Sequence, residues 1–291
     1  MTTIKTILLL GGLTALLVAF GGVYRHGQFM YLFLALGLIT NFVSYFWSDK
    51  IVLRMNNARP LEQSEAPWLY EMVHELTGNA GVPMPRIYLI DEAQPNAFAT
   101  GRNPQHAALA VTSGILRMLD KRQLRGVLAH EIGHIKNRDI LIATIAAMLA
   151  TTIAHLASVA RWGMIFGGYG GGRDRDDRGN AFGEIFMIIL APIAAMVIQM
   201  AVSRQREFQA DESGARLSRD PDALATALEN IEYGAQRIPN QTAAPATASL
   251  YIMNPLFGGI GQGFAKLFST HPPTAERVRR LREMAHTVQA Y

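Results

Sequence analysis

The chain has 291 residues, with 27 basic against 23 acidic side chains and a formal net charge of +4. Hydrophobic residues make up 49% and charged residues only 17%. This excludes an intrinsically disordered chain, because disorder requires low hydrophobicity and high charge. The basic residues adjoin apolar runs and are not interleaved with aromatic residues, so we expect no nucleic-acid partner. Cysteine is absent, which excludes disulfides, thiolate metal ligands and cysteine catalysis.

Four apolar runs predict membrane-spanning helices. They cover residues 6–24, 29–47, 140–160 and 182–202. Each run is close to the roughly 20 residues that a helix needs to cross the hydrocarbon core of a bilayer. The first two runs are joined by a short turn, which favours a retained transmembrane hairpin over a cleaved signal peptide. A buried core helix is the alternative for each run.

Basic residues around the first hairpin predict its orientation. Lys5, Lys50, Arg54 and Arg59 lie on one side of it and Arg25 on the other. Cytoplasmic loops carry the excess of lysine and arginine, so both ends of this hairpin are expected in the cytoplasm. The second pair of runs has no such bias.

The polar segments predict one cytoplasmic domain that is interrupted by the second hairpin. Within it, apolar spacing predicts helices over 65–79 and 121–138, strands over 86–91 and 107–112, and an extended segment over 95–101. The predicted fold is therefore an α-rich α+β domain with a small sheet, built on four transmembrane helices. The parts of the chain are a hairpin (1–48), the first part of the domain (49–139), a second hairpin (140–203) and the second part of the domain (204–291).

Residues 130–134 form an HExxH pattern on the predicted helix 121–138. Positions i and i+4 lie on one helical face, so the imidazoles of His130 and His134 can bind one metal ion at about 2.0–2.1 Å. Glu131 points to the side of that face, where it can take a proton from a water molecule at the metal. A solvated helix face with a fortuitous histidine pair is the alternative.

A second motif, RQREFQAD, covers residues 204–211 directly after the fourth apolar run. Glu207 and Asp211 again stand at i and i+4. One carboxylate can complete a site with three protein ligands, and the other can accept the second ring N–H of a ligating histidine. A membrane hairpin returns its ends to the same side, which would bring this motif close to residues 130–134. An ordinary helix surface with Arg–Glu pairs is the alternative.

The order of these features resembles the HtpX family of bacterial membrane-bound zinc endopeptidases, which are related to the CAAX prenyl proteases and to soluble gluzincins. The resemblance implies one zinc ion per chain held by His130, His134 and Glu207, with Glu131 as general base and Asp211 supporting a ligand. It also implies cleavage of damaged or misassembled membrane proteins and unfolded polypeptides, alongside other membrane proteases. The expected location is the bacterial inner membrane, with the catalytic domain and both termini in the cytoplasm.

The resemblance also implies a substrate-binding segment at residues 96–98. In related gluzincins a similar segment is the edge strand that binds the substrate backbone. Asn96 is then expected to bond the peptide beside Ala97, and Phe98 to border a pocket. A hairpin turn that starts at Pro95 and Asn96 is the alternative.

A late His-Pro element resembles that of the same family. It begins at His271 and precedes a helix that Thr274 caps. His271 is expected to donate a hydrogen bond to the oxyanion of the transition state. Arg277 is expected either to bind the substrate instead of His271 or to hold His271 in place. An exposed histidine at a helix start is the alternative.

Together these features predict a membrane-embedded zinc endopeptidase. An intramembrane protease is disfavoured, because a charge at mid-bilayer costs about 2.5–3.5 kcal/mol. The polar and charged residues that flank the motif are Arg122, Arg125, Lys136, Asn137, Arg138 and Asp139. A zinc-binding membrane scaffold or adaptor without proteolytic activity is the alternative from another class, and the intact Glu131 argues against it.

Overall fold

The computed structural model describes residues 30–145, 204–237 and 272–288, together with positions 7, 10–12, 14, 15 and 18. The fourth apolar run, most of the first and third runs, and His271 lie outside the described residues.

The described part of the chain is rich in helix and contains a small mixed sheet, as predicted. The helices are α1 (Met30–Met55), α2 (Pro67–Ala80), α3 (Ser113–Met118), α4 (Lys121–Asn137), α5 (Arg204–Ser218), α6 (Pro221–Arg237) and α7 (Thr274–Val288). The strands are β1 (Arg59–Pro60), β2 (Arg86–Ile90), β3 (Ala97–Gly101) and β4 (Ala107–Thr112). The two predicted helices correspond to α2 and α4, and the two predicted strands to β2 and β4. The short strand β1 was not predicted.

Helix α1 coincides with the second predicted membrane span. Its most apolar 18-residue window has a mean hydropathy of 1.5, and only 11% of that window is buried. Large apolar side chains therefore face outward, among them Tyr31, Leu32 and Phe42, which are 76%, 60% and 56% exposed. A core helix would bury such side chains. In the described ranges α1 is the one helix long and apolar enough to cross a membrane, so the other three spans stay predictions.

The sheet has the strand order β1–β2–β4–β3. Strands β2 and β4 are parallel, whereas β1 and β3 each pair antiparallel with their neighbour. Strand β4 is buried along its whole length, as expected for a continuous apolar strand between two others. Strand β3 forms one edge of the sheet.

The hydrophobic core lies between the sheet and the helices. Helices α2, α4, α6 and α7 contribute Leu76, Leu128, Leu228 and Leu281, each at most 1% exposed. A smaller cluster lies on the opposite face of the sheet, because side chains alternate along a strand. Its members are Val52, Leu53, Ile90, Phe98, Ala108 and Ala110. The end of α1 is thus packed on one face of the sheet and α4 on the other.

Helix α4 has a defined start and end. The side chain of Asp120 accepts a hydrogen bond of 2.8 Å from the Gln123 N–H, and the side chain of Gln123 accepts one of 3.4 Å from the Asp120 N–H. This reciprocal pair is a capping box. At the other end Arg138 adopts a left-handed φ of 57° and closes the helix. The two caps fix the bounds of the helix that carries residues 130–134.

Candidate active site

Three side chains converge near the end of α4. The Nε2 atoms of His130 and His134 lie 3.2 Å apart. Glu207, on α5, places its carboxylate oxygens 3.9 Å from Nε2 of His130 and 3.7 Å from Nε2 of His134. The three possible ligand atoms all lie within 4.8 Å of one another. Two ligands at about 2.0–2.1 Å from a tetrahedral ion are about 3.3 Å apart, so these side chains fit a metal ion with little movement.

A carboxylate orients each histidine from behind. Nδ1 of His130 lies 2.9 Å from Oδ1 of Asp211, and Nδ1 of His134 lies 3.1 Å from both oxygens of Asp139. A carboxylate only accepts, so each Nδ1 carries a hydrogen and each Nε2 is available to a metal. Asp139 was not predicted in this role. Asp139 directly follows Arg138, whose left-handed backbone turns the chain back toward His134. In the sequence, only the position of Asp139 five residues after His134 could have suggested this contact.

The surrounding charges shift the pKa of His134. Burial by itself lowers this pKa, but attraction to Asp139, Glu207 and Glu131 outweighs burial and raises it to about 10. Without a metal ion the ring therefore holds a proton more tightly than a free imidazole does. A metal ion has to displace that proton, so metal affinity falls as the pH is lowered.

Glu131 lies beside β3, the edge strand of the sheet in the described residues. Its Oε2 accepts a hydrogen bond of 2.8 Å from the main-chain N–H of Ala99 in β3. The Thr112 N–H donates to the carbonyl of Asn96 across the same strand pair. Main-chain groups alternate along antiparallel strands, so those of residues 97, 99 and 101 point away from β4. The carboxylate is thus anchored to the edge along which an extended peptide would add.

Three of the residues predicted to bind substrate, Asn96, Ala97 and Phe98, lie on or beside β3. Asn96 is 1% exposed, and its main-chain N–H donates to Oγ1 of Thr112 at 2.9 Å. Ala97 begins β3 and directs its main chain outward. The Phe98 ring is 3% exposed and packs beside Val52 in the smaller cluster. Strand alternation turns its side chain toward α1. That Phe98 borders a pocket stays a prediction. Substrate binding by this segment stays a prediction, and it would use the main chain.

Arg277 lies behind the metal cluster. Its Nε and Nη2 donate to the two oxygens of Asp211 at 2.8 Å and 2.6 Å, and Nη2 is 3.5 Å from Nδ1 of His130. The side chain is 1% exposed, and the Asp211 charge holds the guanidinium inside. The expected contact between Arg277 and substrate stays a prediction. The role of His271, outside the described ranges, stays a prediction.

Glycine residues let α4 and α5 approach each other. A Cβ atom added to Gly214 of α5 would lie 2.7 Å from the main-chain N and 2.8 Å from the Cα of His130. A Cβ added to Gly133 of α4 would meet α5 at 3.1 Å. Cβ atoms in real proteins essentially never come within 3.0 Å of such atoms, so no side chain fits at Gly214. The missing side chains therefore let α5 carry Glu207 and Asp211 up to the histidines.

The substitution Gly214→Ala is expected to force α4 and α5 apart. The added methyl group meets main-chain atoms that cannot rotate away, and such overpacking typically costs about 1–3 kcal/mol. Metal content should fall together with the free energy of unfolding. The matched control is Gly78→Ala in α2, where an added Cβ meets nothing within 4 Å; it should be neutral or stabilise by about 0.5–1 kcal/mol. Wild-type stability and metal content in Gly214→Ala would contradict this prediction.

A histidine pair, a glutamate ligand and a second glutamate at a strand edge define the class of a metallopeptidase, and comparisons with known proteins agree. The family model described as Peptidase family M48 matches residues 63–285. The Protease HtpX homolog of Ralstonia pickettii (strain 12J) is 54% identical over 291 residues, covering 98% of both chains. That of Syntrophobacter fumaroxidans (strain DSM 10017 / MPOB) is 50% identical over 280 residues, covering 96% of this chain and 98% of the relative.

The chain is a metallopeptidase and belongs to peptidase family M48. Its fold is also similar to the crystal structure of S. mikatae Ste24p, with a TM-score of 0.51 at 18% identity. The similarity covers 96% of this chain and 64% of the Ste24p chain. At this identity the likeness concerns the fold alone.

Proposed function

We propose that this chain is a zinc-dependent endopeptidase of the bacterial inner membrane that cleaves misfolded or damaged membrane proteins. One observation carries the proposal: the ligand cluster and the Glu131 carboxylate meet beside β3, the edge strand of the sheet in the described residues. Two imidazoles and one carboxylate are a donor set that zinc favours. Within the described residues the cluster offers three protein ligands, which is typical of catalytic zinc sites, whereas structural sites are closed by a fourth.

Each residue of the site has a separate role in the proposed hydrolysis. When bound, zinc polarises the scissile carbonyl and makes the attacking water molecule more acidic. Glu131 accepts the proton of that water and passes it to the leaving amine. The Ala99 N–H holds the carboxylate in place at 2.8 Å. His271 is proposed as the additional donor to the oxyanion.

The edge strand supports a broad range of polypeptide substrates. An extended peptide that adds to β3 is bound by main-chain hydrogen bonds, which do not depend on its side chains. The proposed binding segment is the main chain of β3 from Ala97 onward, on the side away from β4, with Asn96 directly before it. Such recognition suits unfolded polypeptides, since a folded protein does not offer a free extended segment.

The exposed apolar face of α1 supports a membrane location. Asp49, in the last third of α1, accepts a hydrogen bond of 2.7 Å from Arg86 at the start of β2, which ties this part of the helix to the sheet. We propose that both termini and the catalytic domain are cytoplasmic, and that the lipid bilayer and other membrane proteases are partners. The proposed parts are hairpins at 1–48 and 140–203 and domain segments at 49–139 and 204–291.

Casein hydrolysis by the full-length protein in detergent tests the proposed activity. A strong chelator is expected to abolish hydrolysis, because the ligands alone cannot activate the scissile carbonyl. Added zinc should restore it. If the zinc-loaded protein binds metal and cleaves nothing, the zinc-binding scaffold or adaptor becomes the better description.

A further inference from the structure

Arg277 is the largest fully buried side chain in the described part of the chain. Burying a guanidinium is costly unless a charge pairs with it and its donors are satisfied. Here Nε donates to Oδ2 and Nη2 to Oδ1 of Asp211, at 2.8 Å and 2.6 Å. Such a two-point contact fixes the position and the plane of the carboxylate.

The same carboxylate orients a metal ligand. Oδ1 of Asp211, which accepts from Arg277, also lies 2.9 Å from Nδ1 of His130. A guanidinium has no acceptor for the His130 N–H, so its influence on the ring passes through Asp211. The single carboxylate of Asp211 thus accepts from both neighbours.

Helix α7 is held in place by contacts other than Arg277. Val278 and Leu281 are 5% and 0% exposed and belong to the main core. The guanidinium of Arg280 lies 3.8 Å from the centroid of the Phe208 ring on α5. Docking of α7 therefore has its own apolar and stacking contacts. Arg279 of the same helix offers a control, because its side chain is 56% exposed and pairs with Glu276 and Glu283 of α7 itself.

We propose that Arg277 is a positioning residue of the metal site, which acts through Asp211 to hold His130 in the orientation and tautomer that bind metal. It thereby sets the metal affinity without contacting the peptide. This inference rests on the proposed function in one respect, namely that His130, His134 and Glu207 bind zinc.

Metal affinity of the full-length protein in detergent tests the inference. Zinc affinity is measured by competition with a chromophoric chelator, and the visible spectrum of the Co²⁺-loaded protein reports the geometry of the ligands. Arg277→Met is expected to lower zinc affinity about 10–100-fold, the range for residues that orient metal ligands, and to change the Co²⁺ spectrum. Arg277→Lys keeps the positive charge but cannot make the two-point contact with Asp211, so zinc affinity should fall less than in Arg277→Met. Arg279→Ala should leave affinity and spectrum unchanged.

The route through Asp211 is tested by a double-mutant cycle. Asp211→Asn should itself weaken zinc binding, and adding Arg277→Met to that variant should cause no further loss. Independent losses that multiply in the double variant would overturn the inference. So would unchanged zinc affinity in Arg277→Met, or an effect confined to KM, which would indicate a peptide contact.

Failure of a variant to fold and failure of the wild type to bind zinc can each be told apart from failure of the inference. If Arg277→Met fails to fold, Arg277→Lys and the double variant carry the test, because neither leaves a buried carboxylate without a cation. If the wild-type protein binds no zinc, the proposed function and this inference both fail. If wild type binds zinc and the Arg277 variants bind it equally well, only this inference fails.

Discussion

The substitution Glu131→Gln is expected to leave the metal bound and to lower casein hydrolysis by about 10²–10⁴-fold, the usual contribution of a general base. Glutamine has nearly the same shape, and its Oε1 can still accept the hydrogen bond that Glu131 receives from the Ala99 N–H at 2.8 Å. It cannot accept a proton from water. The fold and the metal site should therefore persist while the chemistry stops.

Zinc content and turnover, measured on the same Glu131→Gln preparation, separate these two effects. The matched control is Glu212→Gln on α5, where the side chain is 50% exposed and pairs with Arg216. The control should hydrolyse casein at the wild-type rate. Hydrolysis by Glu131→Gln within a few-fold of wild type would show that another group acts as the base.

The substitution Glu207→Ala is expected to remove the metal as well as the activity. Only His130 and His134 would then remain as protein ligands, and catalytic zinc sites use three. Zinc affinity should fall by more than about 100-fold, which is the largest loss usually seen when a residue that only hydrogen-bonds to a metal ligand is replaced. Activity should return only at metal concentrations far above those that saturate wild type, if at all.

Thermal unfolding with and without chelator gives an independent readout for Glu207→Ala. An ion that binds the folded state alone raises the stability of that state. The Tm of wild type should therefore drop on chelation, whereas that of Glu207→Ala should not move. Glu212→Ala, on the same helix, should respond to chelator as wild type does. A chelator-sensitive Tm in Glu207→Ala would assign the third ligand to another residue.

Part of the fold and of the site could be predicted because it follows from local regularity. Helix α4 places His130 and His134 on one face through its own 3.6-residue period, whatever surrounds it. The apolar strand β4 and the long apolar helix α1 follow in the same way from composition and length. Glu207 and Asp211 were paired with the histidines by the i, i+4 spacing and by the resemblance to a family.

Other parts of the site come from segments that are distant in sequence. Nothing local to Ala99 indicates that its N–H meets Glu131, and nothing local to Gly214 indicates that it faces the backbone of His130. Nothing local to Phe98 indicates that the pairing of β3 with β4 turns its ring toward α1. Asp139 acquires its role only because a left-handed residue turns the chain back.

By itself the sequence determined which atoms are available for chemistry: two imidazoles one turn apart, the carboxylate of Glu131 between them, and an acidic pair at Glu207 and Asp211. These follow from residue types and from the helical period, which short-range hydrogen bonds enforce. Only the tertiary structure decided how the parts meet: α5 against α4 at Gly214, the edge of β3 against Glu131, and Arg277 of α7 behind Asp211. Those contacts depend on the packing of whole helices around one core, because close packing at a helix crossing is set by both partners together.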